Sequence, residues 1–494
     1  MRIPAIISDR IYVPFFLDLQ DMYSELRKNF RHKDPDYYKK RAQGRWVGNM
    51  KPYIDTWANI IHPEYGDCLS IPRGGTETLK TIVYNFGYEI SFVDQRFSLP
   101  GIYDYENNVE LWPEQKKLAE IIYRRENCLI KSPTASGKTE VLLKLVEWIL
   151  NTAGPVLIIV WEGSRESGLF KQWIDRICLR FGLRPQDVGM LGSGIKRIAP
   201  ITVGMQQTLK NVGRRYIHSF GGIICDEVQR FAAPTFQKVV DIYPARYRIG
   251  ASADETRNDG KEFLIYDVFG QVAGEVEKAR LIDRGKIMPV TIRIVPTGFD
   301  LRFQISEYDE GTTSWRDLDS EDKNYHDLLD AITVNEERNE YIWKFIEPCL
   351  QDNRIIIIAT QRVDHAKYWE KRITDEGYKS GLMIGGQDYA DEFETTKNGL
   401  LSRKINVGVG TIQKIGTGHD IPTLDRIFVL APLAKNKQLF EQMVGRLRRT
   451  AEEKESAVLY YFWDDPLFPG VHKRLSKLYP GMAQLLVDGE FLDI

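Results

Sequence analysis

Lys131-Ser132-Pro133-Thr134-Ala135-Ser136-Gly137-Lys138-Thr139 is the stretch on which the reading of the chain turns. A short apolar run, Cys128 to Ile130, leads into it, and a good helix former, Glu140 to Leu150, leaves it. That order is strand, tight loop of small residues, helix. The backbone N–H groups of such a loop, with the positive end of the helix dipole, make a cradle for an anion. A nucleotide's phosphates suit the cradle: Lys138 would reach the β- and γ-phosphates, and the Thr139 hydroxyl would sit on Mg²⁺. The common pattern opens on Gly where this chain has Ser132, so Gly137-Lys138-Thr139 carries the signal. The bland reading of the same residues is a turn that lets a helix pack close to a sheet.

Working outward, the chain of 494 residues has room for roughly two to four domains. Its apolar content of 43% supports full cores, and its net charge of −2 excludes a globally basic coat for nucleic acid. Nucleic-acid binding must therefore come from local patches. Cys68, Cys128, Cys178, Cys225 and Cys349 are scattered without a CxxC pair, which argues against a disulfide framework or a zinc site and fits a reducing cytosol. The seven histidines are equally dispersed. The apolar run at the N-terminus is too short for a signal peptide, and no later segment is long enough and free enough of charge to span a bilayer. The expectation is a cytoplasmic protein with no membrane partner.

Residues 1–105 differ in texture from the rest of the chain. Tyr23 to Trp46 carries Arg27, Lys28, Arg31, Lys33, Lys39, Lys40, Arg41 and Arg45, interleaved with Tyr23, Phe30, Tyr37, Tyr38 and Trp46. Basic and stacking side chains together suit a nucleic-acid backbone and its bases. The alternative is a solvated helix face with its aromatics turned inward. A turn at Leu69 to Gly75, a helix at Thr76 to Tyr84 and a strand at Tyr88 to Asp94 complete a small α/β accessory domain.

From Leu111 the pattern alternates strands with helices, which predicts βαβ units and a parallel sheet. Residues 106–275 form the first such domain. Gln115 opens a helix just before the phosphate strand, where its amide could read an adenine edge. Strands are expected at Pro155 to Trp161, Ile201 to Gly204, Gly222 to Cys225 and Tyr247 to Ala251, with helices at Gly168 to Phe181 and Ala233 to Ile242. Ile223-Ile224-Cys225-Asp226-Glu227-Val228-Gln229 reads as a buried strand ending in two acids. Asp226 would hold Mg²⁺, and Glu227 would orient and deprotonate the attacking water. Alone, two acids after a strand are an ordinary helix N-cap pair. Gln229 could hydrogen-bond across to whatever closes the site.

Residues 276–494 form a second run of βα units without a phosphate loop. Strands are expected at Arg354 to Thr360, Gly381 to Ile384, Ile405 to Thr411, Arg426 to Leu430 and Ala457 to Phe462. Before them, Lys278 to Lys286 reads as helix, Met288 to Val295 as extended chain, and the acidic stretch Asp300 to Asn324 as an exposed insertion or hairpin. This half looks like a sheet domain that borrows the nucleotide from the first. Phe440 to Arg449 would do the borrowing: on a helix, Gln442, Arg446 and Arg449 share one face. Rigidly presented arginines neutralise charge building on a γ-phosphoryl, typically raising the rate by roughly 10³ to 10⁵. The bland reading is a solvated basic helix face.

These pieces in this order resemble a superfamily 2 nucleic-acid helicase, and the motifs span Leu111 to Arg449. Gln115 matches the adenine-reading motif and Ser132 to Thr139 motif I. Asp226 to Gln229 stands where the family has DEAH, DExH or DEAD, and Ser252-Ala253-Asp254 where it has motif III. Gly410-Thr411 through Thr417-Gly418-His419-Asp420-Ile421-Pro422 resembles motif V, and Gln442 to Arg449 is a full QxxGRxxR motif VI. Gly250 to Gly260 is similar to the GLTATPxRxDG run of XPB-like, RecG-like and UvsW-type enzymes. A small leading domain ending Phe92 to Arg96, and the run Ile332 to Asn339, look like the UvsW-type phage branch-migration helicases.

The resemblance implies two RecA-like parallel-sheet lobes of the P-loop NTPase fold, preceded by the accessory domain. It implies ATP and Mg²⁺, with Ser132, Pro133, Thr134, Ala135, Ser136, Gly137, Lys138, Thr139, Gln115, Gln229 and Asp420 around the nucleotide. By family position, strand contacts come from Gly163, Ser164, Arg165, Gln207, Thr208, Arg257, Arg362, Thr411 and Lys414. Three departures stand out: Gln229 replaces the common His, Asp254 and Glu255 replace Thr and Pro, and Trp112 replaces a common Arg. The expected function is an ATP-dependent DNA helicase acting as a monomer on forked or branched DNA, phage-encoded by analogy and acting in the host cytoplasm. The alternatives are an ATP-gated nucleic-acid clamp that does not unwind, and an RNA-directed helicase. A restriction-enzyme motor is disfavoured because no additional carboxylate nuclease cluster is visible.

Overall fold

The computed structural model describes residues 1–494 apart from 102, 133–135, 162, 164–167, 232–238, 253–258, 276–281, 283–284, 286, 300–322, 417–420, 432, 434–436, 453 and 465–469. The chain opens with β1 (Arg2–Ile7), β2 (Ile11–Pro14), α1 (Gln20–Asn29), β3 (Arg31–Lys33), α2 (Pro35–Ala42), β4 (Tyr53–Asp55), β5 (Ala58–His62), β6 (Gly66–Ile71), α3 (Thr76–Asn85) and β7 (Glu89–Asp94). Five strands form a sheet in the order β5-β6-β2-β1-β7, and β3 pairs only with β4. Ile3, Ala5, Ile11, Val13, Leu69 and Ile71 pack against Met22, Tyr23 and Leu26 of α1 and Leu79 and Val83 of α3. Period-two apolar strands and two helical stripes thus close one small core.

The aromatics of Tyr23 to Trp46 divide between core and surface. Tyr23 and Phe30 lie in that core, whereas Trp46 is 89% exposed. The boundary between the two behaviours is the end of α1. Beyond it the chain leaves the core as the β3–α2–β4 excursion.

The second sheet is built from α4 (Pro113–Arg125), β8 (Asn127–Lys131), α5 (Lys138–Ala153), β9 (Val156–Val160), α6 (Gly168–Phe181), β10 (Gly189–Gly192), β11 (Ile195–Arg197), β12 (Ile201–Met205), α7 (Gln206–Val212), β13 (Gly222–Asp226), β14 (Tyr247–Ser252), α8 (Phe263–Phe269) and β15 (Val272–Glu275). Its order is β11-β10-β12-β9-β13-β14-β8-β15, and all pairs are parallel except β10 with β11. Every residue of β9, β13 and β14 is buried, as expected of strands covered on both faces. Register sets Asp226 opposite Ala251, and Ser252 opposite Lys131. The carboxyl ends of β13, β14 and β8 are therefore level, and ligands of open parallel sheets bind at such an edge.

Both sheets belong to one compact unit, Met1–Pro133 with Gly137–Val276. Buried arginines join them. Arg73, with none of its surface exposed, donates to the carbonyls of Ala245 (2.6 Å), Arg246 (2.9 Å) and Ser8 (3.3 Å). Asp241 accepts from Arg10 (2.8 Å) and Arg248 (3.0 Å), and Arg248 also donates to the Asp9 carbonyl. Thr56 and His32 both bond Asp267 of α8, at 2.6 and 2.9 Å, and the His32 ring stacks on Phe263.

The other unit takes in Glu277–Ile494. Its elements are β16 (Val290–Pro296), α9 (Lys323–Val334), α10 (Glu336–Gln351), β17 (Ile356–Thr360), α11 (Val363–Asp375), β18 (Ser380–Met383), α12 (Ala390–Leu401), β19 (Val407–Thr411), α13 (Ile412–Gly416), β20 (Arg426–Val429), α14 (Lys437–Leu447), β21 (Ala457–Trp463), α15 (Val471–Leu478), β22 (Ala483–Val487) and β23 (Glu490–Asp493). The strand order is β18-β19-β17-β20-β21-β16-β22-β23. Alternate residues of β17 face two cores: Ile357 and Ala359 one, Ile356 and Ile358 the other.

Most expected strands are present within one or two residues of the expected ends. The expected helix Lys278 to Lys286, most of Ala233 to Ile242 and the acidic stretch up to residue 322 lie outside the described residues. The run Ile332 to Asn339 has a structural basis: Asn335 N-caps α10, and Arg338 is fully buried, donating to both oxygens of Asp464 (2.8 and 3.1 Å) and to the Leu430 carbonyl. Thr297, just past β16, completes that pair by donating to Asp464 at 2.6 Å.

Candidate nucleotide site

β8 delivers the loop and α5 leaves it. Ser132 is buried and its N–H donates to the Ser252 carbonyl at 2.9 Å, fixing the start of the loop to β14. Ser136 is buried too, while Pro133, Thr134 and Ala135 lie outside the described residues. Gly137 has φ +77°, and a Cβ there would sit 2.2 Å from Gln115 Nε2. The positive φ favours glycine there.

Lys138, the first residue of α5, reaches both acids: Nζ lies 2.9 Å from Asp226 Oδ1 and 2.5 Å from Glu227 Oε1. Burial by itself would depress its pKa; the two carboxylates outweigh burial and raise it. Burial likewise opposes the Glu227 carboxylate, but Lys138 and the Gln229 amide prevail and hold its pKa below the usual range. Glu227 has φ +54°, a left-handed conformation costing about 1 kcal/mol or more in a non-glycine residue. That turn carries the chain straight from β13 into a short helical turn at Val228–Arg230, so both acids meet one ammonium.

Gln229 is buried, donates to Glu227 Oε2 at 2.6 Å and accepts from Ser252 Oγ at 2.6 Å. The replacement of the common His therefore keeps a link from the second acid of motif II to the serine of motif III. Ala253, Asp254 and Glu255 fall outside the described residues. Gln115 is 2% exposed, and its Oε1 accepts from the Trp112 N–H at 3.0 Å, capping α4. With Asn108, Glu110, Trp112, Gly137, Glu140 and Arg180 it lines a cleft of about 320 Å³ beside the loop. Thr139 is half-buried in the first turn of α5.

Several contacts were not expected. Trp173 of α6 is 1% exposed, and its indole N–H donates to Asp226 Oδ2 at 3.1 Å. Arg176 and Arg180 of the same helix reach Glu140 at 3.4 and 3.0 Å. Their spacing, i, i+3 and i+7, was a legible signal: two cations and an indole on one helical face.

Of the strand-contact candidates, Gly163 (φ +126°) packs against the start of α6, and Gln207 is exposed, donating to the Trp161 carbonyl at 2.8 Å. Thr208 is half-buried on α7. Ser164, Arg165 and Arg257 lie outside the described residues. In the Glu277–Ile494 unit, Thr411 ends β19, Lys414 lies over the Phe393 ring, and Arg362 pairs with Asp330 at 2.8 Å. Asp420 lies outside the described residues.

Gln442 and Arg446 stand on α14, one turn apart, but the helix ends at Leu447, so Arg449 does not share that helical face. The expected continuous face fails because Lys454, buried, turns the chain there: its Nζ donates to the carbonyls of Leu447 (2.6 Å) and Arg449 (2.8 Å). Arg448, part of the same basic run, is 2% exposed and points inward rather than to solvent.

A family model described as the type III restriction enzyme res subunit matches residues 105–255, the span from before Gln115 to Glu255. The ATP-dependent DNA helicase uvsW of Enterobacteria phage T4 is 21% identical over 499 aligned positions, covering 96% of this chain and 95% of that one. The chain is thus similar to a phage DNA helicase over nearly its whole length. A DNA 3'-5' helicase XPB of Kineococcus radiotolerans is 26% identical over 218 residues, 42% of this chain and 38% of the relative. A solved structure of S. cerevisiae Dbp5, a leucine-to-valine variant bound to RNA and ADP BeF3, matches the fold with a TM-score of 0.50 at 14% identity, covering 77% of this chain and 94% of that one. The two large parallel sheets are RecA-like lobes, as expected. No described helix is long and apolar enough to cross a membrane.

Proposed function

We propose that the protein is an ATP-dependent DNA helicase or translocase that unwinds or branch-migrates forked and junction DNA in recombination, repair or replication restart. The observation that carries the ATPase part is the convergence of Lys138, Asp226 and Glu227 at the level carboxyl ends of adjacent strands. The DNA part draws on the named activities of the phage T4 and XPB relatives.

Thr139 and Asp226 are the residues to hold Mg²⁺. Few protein ligands, all of them oxygens, suit an ion that keeps its waters and leans on substrate phosphates. The ion would supply charge neutralisation at the phosphates. When ATP binds, Lys138 exchanges its two carboxylates for phosphate oxygens. Glu227, released from Lys138 but still held by Gln229, accepts the proton of the attacking water. Gln115 reads the adenine from its cleft. Gln442, Arg446 and Arg449 are assigned to the γ-phosphoryl by their motif spacing, with charge neutralisation as their role.

Residues 1–105 are assigned as a DNA-gripping accessory domain, 106–275 as the ATP-binding lobe and 276–494 as the second helicase lobe. The excursion between α1 and β5 carries the grip. Its acids are spent: Asp34 and Asp36 on Lys261 (3.2 and 2.7 Å), and Asp55 on Arg31 (2.7 Å). Lys39, Lys40, Arg41, Arg45 and Lys51 are exposed, beside exposed Trp46, and no ion pair among the described residues engages them. Exposed cations next to a stacking ring suit phosphates and bases in any sequence. ATP turnover measured with matched DNA and RNA oligonucleotides tests the substrate: the expected result is stronger stimulation by DNA. Equal or stronger stimulation by RNA would replace this reading with an RNA-directed helicase.

A further inference from the structure

We propose that Trp173 is a positioning residue for Asp226, and that α6 is the rigid part through which the strand-side glycine Gly163 bears on the nucleotide site. The proposal rests on the assignment of Asp226 to Mg²⁺. One face of α6 touches three parts of that site. Trp173 donates to Asp226 Oδ2, Arg176 and Arg180 hold Glu140 one residue after Thr139, and Arg180 also lines the cleft beside Gln115. Asp226 Oδ1 faces Lys138 while Oδ2 faces the indole, so the indole fixes the carboxylate's rotation whether or not Lys138 has left. A buried carboxylate held by a neutral donor keeps its charge for a cation, whereas a second cationic partner would compete with it.

The other end of the helix abuts Gly163 without slack. A Cβ on Gly163 would sit 2.6 Å from the Phe170 nitrogen, and one on Gly168 would sit 2.8 Å from the Gly163 Cα. Displacement of Gly163 therefore displaces α6. Phe170 and Trp173 are three residues apart and both fully or almost fully buried, so the helix transmits the movement as a body.

The test separates the metal's contribution from nucleotide binding itself. Affinity for a fluorescent ADP is measured in EDTA and in Mg²⁺, for the full-length protein, Trp173→Phe, and a variant carrying the benzothiophene isostere of tryptophan at 173. The isostere keeps the ring volume and lacks the N–H, so it reports even where the phenylalanine variant packs poorly. Both variants should lose about tenfold of the Mg²⁺-dependent gain in affinity, the worth of one hydrogen bond to a charged group, and keep the EDTA value. The ratio of turnover with and without single-stranded DNA should fall with it. An unchanged Mg²⁺ gain, or equal losses in EDTA and Mg²⁺, would overturn the positioning role. Asp226→Asn, run in parallel, isolates the premise: if it keeps the full Mg²⁺ gain, the assignment of Asp226 itself is wrong.

Discussion

Replacing Gln229 with leucine tests how the second acid of motif II is held. The side chain is buried between Glu227 and Ser252, with both bonds at 2.6 Å. Leucine has similar length and no amide, so it removes the donor to Glu227 Oε2 and the acceptor for Ser252 Oγ together. A hydrogen bond to a charged group is worth about 1.5 to 3 kcal/mol, equivalent to a shift of roughly one to two pKa units. Glu227 sits below its ordinary value through Lys138 and Gln229, working against burial, so losing Gln229 moves it upward. A carboxylate with a depressed folded pKa stabilises the fold above its unfolded pKa, and that contribution fades as pH falls through the folded value. Gln229→Leu should therefore cost about 1.5 to 3 kcal/mol at neutral pH and progressively less toward pH 4. For catalysis, the acid limb of kcat/KM reports the free protein's essential base. That limb should move up by roughly one unit or more in Gln229→Leu. The assay is ATP turnover from pH 5 to 8 with saturating DNA, alongside denaturant unfolding at pH 7 and pH 4.5. An acid limb that stays in place while stability falls would show that the bond is structural and that Glu227 is not the base.

The same contacts predict three further outcomes. Arg73→Met should destabilise the protein by about 3 kcal/mol or more, because three carbonyls lose their donor and two of them are short contacts. Limited proteolysis should then release residues 1–95 before the sheet that carries Lys138 is cut. Burial lowers the Lys454 pKa to about 8, so between pH 8 and about 10.4 the unfolded chain holds a proton that the folded one lacks. Stability of the native protein should thus rise with pH over that window relative to Lys454→Met, as measured by denaturant melts; a parallel pair of curves would contradict it. Changing Lys39, Lys40 and Arg41 together to alanine should weaken duplex DNA binding and reduce the slope of log affinity against log salt by about 2 to 3, read by anisotropy at several salt concentrations.

The strand–loop–helix signal around Lys138, the buried strand ending in Asp226 and Glu227, and the second run of βα units were all legible, because burial on both faces writes long apolar runs that turn chemistry interrupts. Gly137 was legible as part of the Gly137-Lys138-Thr139 run, and its positive φ accounts for the glycine. Three things were hidden. Arg449 read as helical because nothing local ends α14; the stop comes from Lys454, a buried amine whose partners are backbone carbonyls. Trp173 drew no notice in the sequence, because an aromatic at an apolar helical position is ordinarily core, and its polar use appears only once Asp226 is placed beside it. Tyr23 and Trp46 belong to one basic-aromatic run in sequence, yet one lies in a core and the other in solvent, because the chain departs from the domain at the end of α1. Nor did composition disclose β1 and β2, short apolar strands whose partners arrive from residues 66–94.

ATP hydrolysis at Lys138, Asp226 and Glu227 is proposed to drive DNA strand separation. Displacement of a labelled strand from a forked duplex, with ATP and Mg²⁺, tests it most directly, comparing the native protein with Lys138→Ala. The native protein should displace the strand in an ATP-dependent manner and Lys138→Ala should not, with the variant still folded by circular dichroism. DNA-stimulated turnover without displacement on any fork or junction would contradict it and leave an ATP-gated clamp; displacement by Lys138→Ala would remove the phosphate loop from the mechanism.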